Sequence, residues 1–311
     1  MIEVPQAFAD ATAAREGEPG ARWLAELPLI VDDLLARWDC VPDGAVMHGG
    51  VGVIVPVRAP VGPCVLKVSF THPGNVHEPD AFAAWAGRGA VLLYERDDAR
   101  FAMLLERAGP STLNDLGDGD EIIQVAGLIG RRLAVPAPAH VPRLRDQAPA
   151  WADALRKDAE QLPHGMPRHV VDAAIETADG LGGTQPDTLV HGDLHPGNIL
   201  RGEREPWLAI DPKGYAGDPA YDVGALLKAR ALSLLQADDH ARAFHRAIDI
   251  FAEAAELDRH RVHRWAQLHA VKAAFWARRH GFHVARGGPA RDAITQTADH
   301  LAELLTPAPG R

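Results

Sequence analysis

The residues best equipped for chemistry lie in one short run, Val190-His191-Gly192-Asp193-Leu194-His195-Pro196-Gly197-Asn198-Ile199-Leu200, and in Ile210-Asp211-Pro212 just beyond it. Asn198 follows Asp193 by five residues, and Asp211 follows Asn198 by thirteen. Two carboxylates and an amide at this spacing suit phosphoryl transfer. That reaction needs a carboxylate to orient the attacking hydroxyl and hard oxygen ligands to hold Mg²⁺ against the transferring phosphate. In this reading Asp193 accepts a hydrogen bond from the acceptor hydroxyl and aligns it with the γ-phosphorus. Asn198 ligates Mg²⁺ through its amide oxygen, and Asp211 bridges the metal to β- and γ-phosphate oxygens.

Two other readings compete for the same run. Asp193 could serve only as a turn cap, a common use of Asp in loops. His191 and His195 flank it in an H-x-D-x-H pattern that also suits zinc and would make the chain a metallohydrolase. No second histidine pair stands near another strand end, and the zinc reading leaves Asn198 and Asp211 without a purpose. His191 is better read as bracing the loop, and His195 as a packing residue or backbone hydrogen-bond partner.

The elements around these residues are short apolar runs that read as strands. Leu189-Val190 enters the loop, Ile199-Leu200 leaves it, and Trp207-Leu208-Ala209-Ile210 delivers Asp211. Farther upstream, glycines at Gly49, Gly50 and Gly52 run into a β-branched strand ending near Val57, and a turn from Pro60 to Pro63 leads into Cys64-Val65-Leu66-Lys67-Val68-Ser69-Phe70. Lys67 sits at the centre of that second strand, as an edge lysine reaching water or as the strand lysine that binds α- and β-phosphates. Glu78, at the start of the next helix, is its natural acidic partner. The three glycines could cover the phosphates with backbone N–H groups, although glycines also serve ordinary hairpins. Ala90 to Glu95 and Phe101 to Glu106 read as two more strands around a polar turn at Arg96 to Arg100.

Before about Gly20 the residues are small and charged and read as a loose tail. A helix over about 21–39 follows, with an apolar stripe through Trp23, Leu27, Val31, Leu34 and Trp38, and with Pro28 as a kink point. After Ala108-Gly109-Pro110 the periodicity predicts helices at about 119–133, 149–160, 168–180, 219–235, 239–256, 259–280 and 290–305. Asp218 is placed to cap the helix that Pro219 begins, and Asp222 to line the substrate site or cap the same helix. Trp265, Trp276 and the histidines at 263, 269 and 280 recur at helical spacing and read as core by default, although a few of them could face a ligand.

Of 311 residues, 47% are hydrophobic, enough for a large core in two lobes. No apolar run has the roughly 18 residues of a membrane span, and the N-terminus has no secretory pattern. Cys40 and Cys64 are far apart and fit a reduced cytoplasm. With 32 Lys+Arg against 42 Asp+Glu, the formal charge is −10, and no basic stripe is present. Nucleic acid is therefore not an expected partner, whereas a cationic small molecule would suit the acidic balance.

Taken together, Leu189 to Leu200, Trp207 to Gly214, and Gly217-Asp218-Pro219-Ala220-Tyr221-Asp222 resemble the aminoglycoside phosphotransferases, and within them the streptomycin 6-phosphotransferase and hydroxyurea phosphotransferase branch. Arg22-Trp23-Leu24, Leu34 to Trp38, Val65 to Val68, Trp85 to Leu92 and Leu104 to Arg107 are similar too, so the resemblance covers nearly the whole chain. It implies an α+β, two-lobed protein-kinase-like fold. Residues 1–106 would form a small antiparallel-sheet lobe that binds nucleotide, and 107–311 a larger, mainly helical lobe for catalysis and substrate binding.

The resemblance further implies ATP and Mg²⁺ as cofactors, with adenine against Leu105-Glu106-Arg107. Asp193 becomes the catalytic aspartate, Asn198 and Asp211 the metal ligands, Lys67 the phosphate-binding lysine and Glu78 its partner. Asp211 is followed by Pro212-Lys213-Gly214 instead of the Phe-Gly of protein kinases, and the glycine segment lacks G-x-G-x-x-G. Asp222 follows Asp211 by only eleven positions, too few for a peptide-docking activation segment. The expectation is an ATP- and Mg²⁺-dependent O-phosphotransferase for a small hydroxylated, cationic acceptor such as a streptomycin-type aminoglycoside, or for hydroxyurea, with no obligate protein partner. A metabolic kinase for a sugar or amino alcohol and a non-catalytic nucleotide-binding protein are the alternatives.

Overall fold

The structure is a computed structural model that describes residues 2–117, 119–280 and 291–306. Its elements begin with α1 (Gln6–Arg37), β1 (Val41–Pro42), β2 (Met47–His48), β3 (Gly52–Ala59), β4 (Gly62–Ser69), α2 (Glu78–Trp85), β5 (Leu93–Asp97) and β6 (Ala102–Glu106). Then come α3 (Asp120–Leu133), α4 (Leu144–Gln161), α5 (Arg168–Gly183), β7 (Thr188–Val190), β8 (Ile199–Arg201), β9 (Trp207–Ala209), β10 (Tyr215–Gly217), α6 (Val223–Leu235), α7 (His240–Ala255), α8 (Arg259–His280) and α9 (Arg291–Leu304). The chain divides into two units, Met1–Ser111 with Leu200–Lys213, and Thr112–Ile199 with Gly214–Arg311.

The first unit is built on an antiparallel sheet of order β1-β3-β4-β6-β5, with β2 also paired to β3. Alternation along β3 and β4 buries Val53, Val55, Val57, Cys64, Leu66 and Val68 against Leu27, Val31 and Leu34 of α1. Residues 6–19 belong to α1 and are not a loose tail. Phe8, 2% exposed, docks edge-on to Trp23 at 6.0 Å and joins this core. One large buried side chain among alanines and charged residues leaves little periodicity to read. The break in α1 falls at Gly17, whose φ of 63° suits a residue without Cβ, and not at Pro28. Pro79 occupies the first turn of α2, where its missing N–H costs nothing. β9 joins this unit through Ala209 N–H to Gly89 (2.8 Å) and Val91 N–H to Ala209 (3.2 Å).

The second unit is helical apart from the β7–β10 ribbon, which pairs Val190 with Tyr215 and Thr188 with Gly217. α4 starts at Leu144, five residues before the expected position, because Leu144 and Ala148 are buried and extend the packed face upstream of Pro149. The expected stretch 219–235 is a short 3₁₀ turn, Pro219–Asp222, followed by α6. Residue 290, where the last helix was expected to begin, lies outside the described residues. Among the described residues no helix is long and apolar enough to cross a membrane.

α3 and α7 touch through Gly127, where an added Cβ would lie 2.7 Å from the Ala254 Cβ and 3.0 Å from the Phe251 carbonyl oxygen. Backbone cannot give way as a flexible side chain does. Gly127→Ala is therefore expected to lower unfolding stability by about 1–3 kcal/mol, read by urea denaturation. An unchanged midpoint would show that the helices separate without cost.

Candidate active site

In the first unit, Lys67 lies on β4 between Ile54 of β3 and Met103 of β6, so its stem crosses the middle of the sheet. Its side chain is only 11% exposed. Its ammonium donates to Glu78 Oε1 at 2.5 Å and to Asp211 Oδ1 at 2.6 Å. Burial works against the charge, but the two carboxylates more than offset it and hold the Lys67 pKa above its ordinary value. Glu78 is nearly fully buried, whereas the Asp211 side chain is 41% exposed and keeps oxygen accessible. Asp211 also has a positive φ of 59°, in a region that non-glycine residues seldom occupy. The three residues singled out in sequence, 67, 78 and 211, thus converge on one ion cluster.

In the second unit, β7 ends at Val190 and the chain turns through Gly192, whose φ of 80° favours glycine. The buried Asp222 carboxylate accepts from the backbone N–H of His191 (3.1 Å) and of Gly192 (2.7 Å). His191, fully buried, accepts the Asp193 N–H on Nδ1 at 3.2 Å. His195 Nδ1 accepts the Gly197 N–H at 3.1 Å. Both histidines therefore brace the loop, and each has Nδ1 engaged by backbone, which weakens the zinc reading. Asn198 donates its amide N–H to the Asp193 carbonyl at 3.0 Å, leaving its amide oxygen as the atom on offer to a cation.

The glycines divide. An added Cβ at Gly52 would meet Ser69 Oγ at 2.6 Å and the Val68 carbonyl at 2.7 Å, so strand packing alone demands glycine there. Gly49 and Gly50 have open space around them, in a turn closed by Gly49 N–H to the Gly52 carbonyl at 2.9 Å. Leu105 is buried in β6, and Arg107 pairs with Asp43 at 2.8 Å. Glu106 is committed to the framework, taking the Leu92 N–H at 3.0 Å and Arg204 at 2.9 Å. The Glu106 carboxylate is thus spent on holding β6, the Leu92 backbone and Arg204 together.

Asp222 is the residue that the sequence leaves undecided between substrate lining and capping. Its two backbone bonds make it the anchor of the Asp193 loop. The available signal was an acid following a D-P-A-Y turn, which does not say where the carboxylate points. Asp218 does cap, accepting the Ala220 N–H at 3.0 Å, and it also accepts Trp265 Nε1 at 2.6 Å and pairs with Arg261.

Residues 37–281 match the family model described as aminoglycoside/hydroxyurea antibiotic resistance kinase. The chain is 34% identical over 279 residues to a streptomycin 6-kinase of Streptomyces glaucescens, covering 89% of this chain and 91% of that protein. It is 32% identical to a hydroxyurea phosphotransferase of Kitasatospora aureofaciens, covering 89% and 80%. Among solved structures, a choline/ethanolamine kinase family protein from Mesorhizobium loti superposes with a TM-score of 0.57 at 15% identity, over 90% of this chain and 95% of that one. The aminoglycoside phosphotransferase APH(4)-Ia superposes with 0.56 at 13% identity, over 89% and 97%. The fold is therefore the protein-kinase-like fold of small-molecule phosphotransferases.

Burial pushes Asp222 up to about 7 from an ordinary 3.8, against the pull of the Gly192 and His191 N–H groups. Because the folded value is the higher one, protonated Asp222 stabilises the fold at low pH. That contribution disappears as pH rises from about 4 to about 7. Over this window wild-type unfolding free energy is expected to fall relative to Asp222→Asn, by at most roughly 4 kcal/mol. Parallel curves for the two proteins in urea titrations across pH would remove this assignment.

Proposed function

Since the chain belongs to the aminoglycoside/hydroxyurea antibiotic resistance kinase family, we propose that it transfers the γ-phosphoryl group of ATP, with Mg²⁺, to a hydroxyl of a small antibiotic-type molecule. Streptomycin-type aminoglycosides and hydroxyurea are the two acceptor classes, and inactivation of the acceptor is the role. The observation that carries the reading is the buried Lys67 ammonium shared by Glu78 and Asp211, the arrangement required of a phosphate-binding lysine. Solved neighbours of the same fold include APH(4)-Ia variants bound to ADP or AMP-PNP with hygromycin B, which supports nucleotide use.

In this reading Lys67 meets the α- and β-phosphates, and Glu78 keeps it extended toward them. The Asn198 amide oxygen and the half-exposed Asp211 carboxylate are hard oxygen donors that fit Mg²⁺. When bound, Mg²⁺ supplies neutralisation of the phosphate charge. Asp193 accepts the hydrogen bond of the attacking hydroxyl and takes its proton as the new P–O bond forms and the bond from the γ-phosphorus to the bridging oxygen breaks, with ADP leaving. Its carbonyl is held by Asn198, and its N–H by His191, so the loop conformation is set before the acceptor arrives.

Mg²⁺-dependent ADP release with streptomycin, other aminoglycosides, hydroxyurea and amino sugars as acceptors tests the proposal. Asp193→Ala is expected to lower turnover about 10²–10⁴-fold with ATP affinity nearly intact; near-normal turnover would overturn the role of Asp193. Asp211→Ala is expected to abolish the Mg²⁺ dependence of nucleotide binding, measured by calorimetry with and without the ion. Unchanged Mg²⁺ dependence would remove Asp211 from the metal site.

A further inference from the structure

Protein kinases follow their metal-binding aspartate with Phe-Gly, whereas here Pro212 and Lys213 follow Asp211, so a second cation stands two residues beyond it. Within the first unit the Lys213 ammonium lies 3.9 Å from Asp211 Oδ2, while that of Lys67 donates to Oδ1 at 2.6 Å. Each oxygen of this one carboxylate therefore has its own lysine. The two settings differ. Lys67 is buried in the sheet, and its ammonium is divided between Glu78 and Asp211. Lys213 is 28% exposed, and its distance from Oδ2 is beyond hydrogen-bond length, so Coulomb attraction joins it to that oxygen.

The stem of Lys213 has a built seat. It rests against the turn between β4 and α2, where a Cβ added at Gly74 would fall 3.3 Å from Lys213 Cδ. That turn is held from within. The buried Asn75 accepts the His72 N–H at 3.0 Å and donates to the Phe70 carbonyl at 2.9 Å, and the Gly74 N–H donates to His72 Nδ1 at 3.0 Å. Lys213 thus keeps its methylenes on the turn and its charge beside the half-exposed Asp211 carboxylate.

Charge decides what such a lysine can do. Lys67 and Lys213 face Glu78 and Asp211, two ammoniums against two carboxylates, so the four groups sum to zero. Without Lys213 they would sum to a negative charge and oppose a polyphosphate. With it, a divalent cation shared by Asp211 makes the site positive, the sign that a polyphosphate requires.

We propose that Lys213 is a second phosphate-contacting residue, meeting the non-bridging oxygens of the γ-phosphate while Lys67 meets the α- and β-phosphates. Once Asp211 is committed to a cation, its pull on Lys213 is cancelled, and the phosphate becomes the anion that this ammonium meets. In the transfer the bond from the γ-phosphorus to the bridging oxygen breaks, its electron pair leaving with ADP. The acceptor oxygen bonds to the phosphorus, and its proton goes to Asp193. Lys213 stays with the oxygens of the group being transferred and offsets the charge on them. The inference rests on the phosphotransferase reading and assigns within it the side chain that faces the γ-phosphate.

Calorimetric titration of AMP-PNP and of ADP into wild type, Lys213→Met and Lys213→Arg, with and without Mg²⁺, tests the assignment. AMP-PNP carries a γ-phosphate and ADP lacks one, so a γ-contact separates the two. Lys213→Met is expected to weaken AMP-PNP binding about 10–100-fold and ADP binding less than about threefold, in both conditions, with Lys213→Arg restoring most of the loss. In ADP release with streptomycin or hydroxyurea, Lys213→Met is expected to lower kcat about 10²–10³-fold with the acceptor KM unchanged. Binding decides if neither acceptor is used. A merely structural lysine would weaken both nucleotides alike. Equal losses for AMP-PNP and ADP, or none, would overturn the role of Lys213 and leave the phosphotransferase reading standing. Wild-type protein that binds neither nucleotide would overturn that reading and this inference with it.

Discussion

The first unit depends on a buried ammonium. Lys67 is driven through the middle of a sheet whose neighbouring positions are apolar, and an unpaired charge there would be expelled. Glu78 and Asp211 make it tolerable, and in doing so they tie β4, α2 and the segment after β9 to one point. Such a cluster is weak evidence for stability, because desolvation consumes much of the Coulomb gain. Its value lies in geometry. Once the ammonium is fixed, the helix that carries Glu78 and the strand that delivers Asp211 have little freedom in how they approach the sheet.

A second carboxylate does comparable work in the other unit with no cation at all. Asp222 holds two consecutive backbone N–H groups at the turn where β7 becomes the Asp193 loop. His191 and Asn198 then fix the N–H and the carbonyl of Asp193 itself. The carboxylate proposed for catalysis gains from such pre-organisation because the loop entropy is spent on folding and not on each turnover. Burial and hydrogen bonding oppose one another at Asp222, so this anchor is sensitive to pH in a range where surface carboxylates are not.

Net charge and local charge point in different directions. The chain as a whole is acidic, yet the aromatic cluster of Trp151, Tyr221 and Trp265 carries Lys272 over Trp151 and a neutral imidazole at His269. At physiological ionic strength charges separated by more than about 8 Å are largely screened. A group in contact with that cluster therefore senses those side chains far more than the total. Whole-chain charge speaks to solubility and long-range steering, and local side chains set the field within a few ångströms of them.

Much of this protein was legible as sequence. The period-two strands around Lys67, the helical periodicity from α3 to α8, and the spacing of Asp193, Asn198 and Asp211 each follow from local rules, because strand and helix geometry repeat along the chain and leave a repeating trace. Other features left no such trace. The helix before Gly20 is secured by Phe8 reaching Trp23 and the sheet core, a contact no local pattern encodes. Pro28 gave the expected signal for a kink, but the break is at Gly17, where the backbone needs a positive φ. Gly52 looked like its neighbours Gly49 and Gly50 until the strand across from it showed that Ser69 fills the space a side chain would need. By itself the sequence determined which residue types stand ready for phosphoryl transfer and which elements carry them. The tertiary structure alone decided that Glu78 and Asp211 meet Lys67, that Asp222 turns inward to the loop backbone, and that His269 and Lys272 meet Tyr221 and Trp151. Those pairings span from 11 to 144 residues of chain, and burial and charge compensation select them only once the chain has closed on itself.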